Sequence, residues 1–357
     1  MTQPVRRRIR NREPPPNTLP PPPPDRVVPD VRLLLDACQR LLGGATMEGY
    51  EITYHTNSTT MLVQCRLGGQ TTNLYVKTRR LTGNNRTLRV QQVIAEYEIL
   101  DRLFRYMPPV VDRGVVKPLA CLPDQVSLIT EECRGRKLAE LLRGARFLVR
   151  GPFMARLESA CEQCGRWLRR FHQLTSRPGR YTGEDLMPYC QKRLAWLQTS
   201  GSPAHRSFLA SVAAFLKEVQ PILACQFVPL VGVHNDFTPH NILLDDGRIV
   251  VLDFGGFTTG SPWNDFSKLW FHLECMASSP RVPTRLARRL QDSLARGFGE
   301  PPPAGSALWS FLEVAYKLDK MTECNERTPK GWLRSKFNDR LFKRCAADIA
   351  RIVSRGH

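Results

Sequence analysis

One short stretch near residue 240 constrains the fold of this chain more than any other feature. It reads His-Asn-Asp-Phe-Thr-Pro-His-Asn over residues 234–241. Two apolar segments, 241–244 and 249–252, follow on either side of an Asp-Asp-Gly turn at 245–247, and Asp-Phe-Gly stands directly after the second at 253–255. Apolar runs of this length around a turn of this type predict a β-hairpin. The hairpin would present polar side chains at both of its ends.

The polar residues of this stretch are of the types that phosphoryl transfer to a hydroxyl needs. Asp236 can orient a hydroxyl nucleophile and accept its proton. Asn241 and Asp253 can supply oxygen ligands to Mg²⁺, which prefers one or two carboxylates together with phosphates and water. The alternative is that His234, Asp236 and Asp253 only cap and brace the hairpin. The ordered spacing of the whole set favours a catalytic role.

The pattern H-x-D-x-x-x-x-N followed by D-F-G resembles the signature shared by protein kinases and the aminoglycoside/choline phosphotransferase family. The resemblance implies an α+β, two-lobed protein-kinase-like fold with a small antiparallel-sheet N-lobe and a mostly helical C-lobe. It also implies transfer of the γ-phosphoryl group of ATP, with Asp236 as the catalytic residue and Asn241 and Asp253 as Mg²⁺ ligands.

The same resemblance extends upstream of the catalytic segment. The sequence Leu-Tyr-Val-Lys-Thr at 74–78 is similar to the family's third strand, which implies that Lys77 contacts the α and β phosphates. Glu96, on the helix predicted by apolar periodicity over 88–104, is then the carboxylate that orients this lysine. The segment that ends the predicted strand 125–131 resembles the hinge between lobes. The resemblance therefore implies adenine contacts from the backbone of Glu131, Glu132 and Cys133.

The predicted elements divide the chain into three parts. Residues 1–30 combine an arginine cluster with two proline runs and are predicted to be a disordered tail. Residues 31–133 form the nucleotide-binding N-lobe, and residues 134–357 form the helical C-lobe with the catalytic loop and the acceptor site. The N-lobe is built from predicted strands at 50–55, 61–67, 74–78, 115–120 and 125–131 and the helix at 88–104.

Two departures from the protein-kinase pattern bear on the acceptor. Asn235 stands where regulated protein kinases carry an arginine, and only nine residues separate Gly255 from Asp265, with no A-P-E motif. Residues 260–266 instead resemble the G-x-P-x-x-D-L segment of the aminoglycoside phosphotransferases. There the aspartate, Asp265 in this chain, braces the catalytic loop, and His234 belongs to the same structural support. A G-x-G-x-x-G phosphate loop is missing between the first two strands.

These features favour an ATP-dependent phosphotransferase that acts on a hydroxyl of a small molecule, sugar, glycan or glycolipid. The net charge of +19 suggests an anionic partner and argues against polycationic acceptors. One alternative is a compact protein kinase. Another is a non-catalytic nucleotide-binding scaffold that contacts an anionic membrane or nucleic acid through the basic tail.

The location expected from the sequence is the cytoplasm, with peripheral membrane contact through the tail as an option. No apolar run approaches the roughly 20 residues needed to span a bilayer, and no apolar segment follows the N-terminal arginines as in a secretory signal. The eleven cysteines show no repeating framework and are expected to be reduced thiols.

Overall fold

The computed structural model contains two compact units, and the predicted tail at 1–30 lies outside the described residues except for Asp30. The first unit contains the described residues up to Arg134 together with Val250–Gly256. The second contains Gly135–Ile249 and the chain from Phe257 onwards. The described ranges are 30–43, 45–55, 57–107, 114–144, 151–200, 206–279, 282–326 and 332–355.

The first unit is an antiparallel sheet of five strands in the order β1-β2-β3-β5-β4. The predicted α+β fold with a sheet-based N-terminal part is confirmed. The strand predicted at 115–120 begins later, at Pro118, because Val115 instead forms an isolated bridge with Val251. The elements are α1 (Val31–Leu41), β1 (Thr46–Tyr54), β2 (Ser58–Leu67), β3 (Gln70–Arg79), α2 (Arg86–Tyr106), β4 (Pro118–Leu122) and β5 (Ser127–Glu131).

Side chains along β2 and β3 point alternately into the core and towards the opposite face of the sheet. Met61 and Val63 on β2 and Leu74 and Val76 on β3 are buried against α1. Successive residues of a strand point to opposite faces. Lys77 therefore stands on the face opposite Val76, where α2 provides its partner.

The second unit is mostly helical, as predicted. Its helices are α3 (Leu138–Gly144), α4 (Pro152–Thr175), α5 (Leu186–Thr199), α6 (Arg206–Cys225), α7 (Pro262–Met276), α8 (Thr284–Phe298), α9 (Ala307–Glu326) and α10 (Trp332–Arg355). Its strands are β6 (Arg136–Lys137), β7 (Arg177–Arg180), β8 (Pro229–Val233), β9 (Ile242–Asp245) and β11 (Thr258–Gly260), while β10 (Arg248–Val251) runs from the second unit into the first.

Two short sheets hold the predicted catalytic loop, residues 234–241, in place. β6 pairs with β9 directly after the loop, and β8 pairs with both β7 and β11 directly before it. Strands β8 and β11 were not predicted, because they are five and three residues long and find their partners far away in the sequence. The loop at 234–241 therefore leaves one sheet and enters another.

Helices α4 and α8 approach each other closely through two glycines. A methyl group at Gly165 would overlap the backbone of Leu294, and one at Gly297 would overlap the backbone of Glu162. Cys161 and Cys164 on α4 are fully buried, as expected for a packed helix face.

Among the described helices, α6 is the one long and apolar enough to cross a membrane by length and composition, with a mean hydropathy of 1.5. Lys217 and Glu218 interrupt the apolar run of this helix, so a membrane span is not apparent from the sequence. Leu209, Phe215 and Leu223 of this helix are buried in the core of the second unit. Buried core helices meet the same criterion, so the feature is weak support for a membrane span.

Candidate active site

In the first unit, Lys77 lies between two carboxylates. Its Nζ is 3.0 Å from Oε1 of Glu96 on α2 and 2.5 Å from Oδ1 of Asp253. Burial lowers the pKa of Lys77, but the two carboxylates outweigh this effect, and the pKa is raised. The lysine therefore stays charged, which its predicted contact with phosphates requires.

Glu96 has a second cationic partner that the sequence analysis missed. Arg79 follows Lys77 by two residues on β3 and so lies on the same face. Its Nη2 is 2.5 Å from Oε2 of Glu96, and the Glu96 side chain is only 3% exposed. The signal was present in the sequence, because a K-x-R pattern on a strand places both cations on one side. The carboxylate is thus held from both of its oxygens.

The predicted hinge residues are placed at the end of β5. Glu131 donates its backbone N–H to the carbonyl of Lys117, and Glu132 donates its own to the carbonyl of Asn73. The Glu132 carboxylate also accepts a hydrogen bond of 2.8 Å from Nδ2 of Asn73. Both N–H groups are therefore used within the sheet. These two N–H groups are therefore not available to adenine in this arrangement.

In the second unit, Asp265 at the start of α7 fixes the backbone of the catalytic loop. Its carboxylate accepts the backbone N–H groups of His234 at 2.6 Å and Asn235 at 2.9 Å. Asp265 is fully buried, and desolvation raises its pKa to about 6 even though these two hydrogen bonds and Lys268 act in the opposite direction. Nδ1 of His234 accepts the N–H of Asp236 at 3.2 Å, which continues the bracing along the loop.

The side chain of Asn241 is tied to Asp236. Its Nδ2 donates to the Asp236 carboxylate at 2.7 Å and to the Asp236 carbonyl at 3.1 Å. Because both partners are acceptors, the amide nitrogen must face them and the carbonyl Oδ1 is turned away. That oxygen is the atom with which asparagine binds Mg²⁺. The loop can therefore present both an oriented carboxylate, from Asp236, and an oxygen ligand for a metal ion, from Asn241.

Lys268 supports the residue before Asp236 and was also missed from the sequence. Its Nζ donates to the carbonyl oxygen of Asn235 and, at 3.1 Å, to Oδ1 of the same residue. Asn235 has a φ of 64°, in the left-handed region that asparagine tolerates better than most residues. Lys268 lies on α7 one turn after Asp265, so a single helix braces the loop twice.

The predicted site residues thus form one group in each unit. Lys77, Glu96 and Asp253 meet in the first unit, and His234, Asp236, Asn241 and Asp265 meet in the second. The Asp253 side chain is about half exposed, at 49%, so its carboxylate is accessible to a metal ion. Its backbone φ of 65° is again left-handed, which is unusual for a residue other than glycine.

An antiparallel sheet with a Lys–Glu–Asp cluster, and a helical unit with a braced Asp–Asn loop, define a protein-kinase-like phosphotransferase. The family model described as the phosphotransferase enzyme family, APH, matches residues 65–303. The chain belongs to this family. No curated protein sequence matches the chain.

Solved structures with a similar fold include aminoglycoside phosphotransferases and choline kinases. A putative aminoglycoside phosphotransferase from Ralstonia eutropha is 16% identical, with a TM-score of 0.58, and the match covers 92% of this chain and 100% of that one. Choline kinase LicA from Streptococcus pneumoniae is 12% identical, with a TM-score of 0.54 and coverage of 90% and 98%. The streptomycin-ATP-APH(2")-IIa ternary complex is 13% identical, with a TM-score of 0.54 and coverage of 86% and 93%.

Proposed function

We propose that this protein transfers the γ-phosphoryl group of ATP to a hydroxyl of a small molecule, sugar or glycan. The observation that carries the proposal is the catalytic loop, where Asn241 holds the Asp236 carboxylate and Asp265 holds the loop backbone. An oriented carboxylate on a loop fixed in this way is suited to accept a proton from an attacking hydroxyl. Membership of the phosphotransferase family supports the same chemistry.

The phosphates of the nucleotide are assigned to the cation cluster of the first unit, which consists of Lys77 and Arg79 with their partners Glu96 and Asp253. Lys77 would bind the α and β phosphates while Glu96 keeps it in place. The hinge, at Glu131, Glu132 and Cys133, would contact adenine through its backbone. Oδ1 of Asn241 in the second unit and the carboxylate of Asp253 in the first are each proposed as a ligand for Mg²⁺, which when bound would neutralise the charge of the phosphates.

The acceptor is proposed to be neutral or anionic. The chain carries 52 Lys and Arg against 33 Asp and Glu, a balance that would raise the local concentration of anionic molecules and repel polycations. The named aminoglycoside and choline ligands of its relatives are cations, so we expect this chain to differ from them in specificity. Cytoplasmic action, with membrane or nucleic acid contact through residues 1–30, belongs to the same proposal.

The role of Asp236 is tested by Asp236→Asn. Asparagine keeps an oxygen that can accept from Asn241 but loses the charge and the basicity. We expect kcat to fall by about 10² to 10⁴, the usual range for a general base, while MgADP affinity measured by calorimetry is unchanged. The matched control is Asp246→Asn in the exposed turn of the following hairpin, which should leave kcat as it is.

The acceptor is found by measuring ADP release with panels of anionic, neutral and cationic hydroxyl compounds.

Full turnover by folded Asp236→Asn protein would rule out the role of Asp236 as the proton acceptor. Asp253→Ala should in addition weaken binding of MgADP, because it removes a metal ligand. MgADP binding without turnover on any acceptor would favour the scaffold alternative, and phosphate on a protein substrate would favour the compact protein kinase.

A further inference from the structure

Arg79 has no place in the family signature and yet makes the second ion pair of the buried Glu96. Lys77 donates to Oε1 of Glu96 at 3.0 Å, and Arg79 donates to Oε2 at 2.5 Å. The Arg79 side chain is itself only 10% exposed. Charge-assisted hydrogen bonds of this kind are the stronger ones in proteins, and they fix orientation as well as charge. Glu96 is therefore held by two cations that β3 presents side by side.

The other end of the Arg79 contact is the Asp-Phe-Gly turn. A Cβ at Gly255 would overlap the Arg79 guanidinium, so the side chain lies in the space that the glycine leaves open. Arg79, Glu96 and Gly255 all belong to the first unit. Arg79 consequently contacts both the helix that carries Glu96 and the turn that carries Asp253.

Nucleotide binding would change which ion pairs the residues of this cluster can make. In the structure Lys77 and Arg79 are balanced by Glu96 and Asp253, and Lys77 is shared between the two carboxylates. If the proposed function holds, Mg²⁺ takes Asp253 and the phosphates take Lys77. Arg79 is then the partner of Glu96 for which neither the metal nor the phosphates compete.

We propose that Arg79 is a positioning residue that fixes Glu96 and the turn at 253–255 relative to each other. Lys77 and Asp253 are thereby aligned to bind the Mg–nucleotide. The inference rests on the proposed function and deepens it. Loss of Arg79 leaves Glu96 with Lys77 as its remaining cation, which draws the lysine away from the phosphates.

The test is the affinity for MgADP, measured by titration calorimetry on the full chain, together with KM for MgATP. We expect Arg79→Met to raise both constants by about tenfold, the equivalent of losing one charge-assisted hydrogen bond. Arg79→Lys, which keeps the charge but not the planar fork, should recover part of the loss. The control is Arg66→Met on β2, which removes an exposed ion pair with Glu48 in the same sheet and should change neither constant.

A double-mutant cycle separates positioning from simple stabilisation. If Arg79 acts through Glu96, Arg79→Met should cost little further affinity in a Glu96→Gln background. Gly255→Ala provides a second route, because its methyl group displaces the Arg79 side chain without changing any charge, and it too should weaken MgADP binding.

Unchanged MgADP affinity in folded Arg79→Met, or additive losses in the cycle, would overturn the inference. If the wild-type chain binds MgADP and Glu96→Gln weakens it while Arg79→Met does not, the inference alone fails. If the wild-type chain does not bind MgADP at all, the proposed function fails and the inference fails with it.

Discussion

Asp265 is the single residue on which the conformation of the catalytic loop most depends. It accepts two consecutive backbone N–H groups while fully buried. A buried carboxylate must recover its desolvation cost through such hydrogen bonds. The hydrogen bonds do not fully offset the desolvation of Asp265, because its pKa is raised from 3.8 to about 6.

This shift predicts a specific dependence of stability on pH. The folded state binds the Asp265 proton more tightly than the unfolded chain does, so the contribution of Asp265 to the free energy of unfolding falls as pH rises from about 4 to about 6 and then levels off. The difference in that free energy between wild type and Asp265→Asn should decrease by about 2 to 3 kcal/mol over this interval. Urea unfolding at several pH values measures it. A difference that stays constant with pH would contradict the prediction.

At the residue scale, the candidate catalytic residues and the brace at Asp265 could be proposed from the sequence, whereas the support from Lys268 could not. Asp236, Asn241 and Asp253 could be proposed because their spacing is local and their chemistry is specific. Lys268 could not, because its partner lies 33 residues away and a lysine on a helix is usually solvated. Their roles in catalysis remain predictions until the variants above are measured.

At the scale of elements, the crossing of α4 and α8 depends on Gly165 and Gly297. Ala at either position would place a methyl group into the backbone of the other helix. Rigid backbone cannot move aside as a side chain can, so we expect each substitution to lower the free energy of unfolding by about 2 kcal/mol or more.

Gly144 at the end of α3 is the matched control for these two variants. A methyl group there would stand 3.6 Å from the ring of Phe153, an ordinary contact. Gly144→Ala should therefore be neutral or stabilising by a few tenths of a kcal/mol, because alanine favours the helix. Chemical unfolding of the three variants distinguishes the cases. Equal stability of all three would show that the helices can separate without cost.

The strand–helix–strand order of the first unit could be predicted from periodicity, and the mostly helical character of the second from the family resemblance. The sequence predicts a helix over 88–104, and the structure has α2 over Arg86–Tyr106. The strands β8 and β11 escaped prediction because pairing, and not local pattern, defines them. The same holds for the glycines of α4 and α8, since only the crossing explains them.

At the scale of the whole molecule, a buried charge cluster links three helices of the second unit. Lys317 on α9 is 1% exposed and contacts Glu313 on the same helix, Glu274 on α7 and Asp348 on α10, at 2.5, 3.3 and 2.7 Å. Burial lowers the pKa of Lys317, but its carboxylate partners outweigh this and raise it. The cluster depends on contacts across the fold and could not be read from the sequence.

Lys317→Met should destabilise the protein by about 3 to 5 kcal/mol, because it removes the buried cation that Glu274, Glu313 and Asp348 share. Lys343→Met on α10 is the control, since its ion pair with Asp339 is exposed at the surface and should contribute less than about 1 kcal/mol. Thermal and denaturant unfolding of both variants measure the difference. If Lys317→Met and Lys343→Met lowered the free energy of unfolding by a similar small amount, the prediction would be wrong. Arg344 and Arg351, which also contact Asp348, would then be sufficient to neutralise that carboxylate.

The return of residues 250–256 to the first unit has a consequence for biosynthesis. Lys77, Arg79 and Glu96 leave the ribosome early, but Asp253 and Gly255 follow only after Gly135–Ile249 has been translated. Until then Arg79 has no turn to pack against, and Lys77 lacks one of its two carboxylates. The first unit therefore cannot be completed during translation before about half of the second has emerged, and a nascent chain that stalls earlier lacks Asp253 as a partner for Lys77.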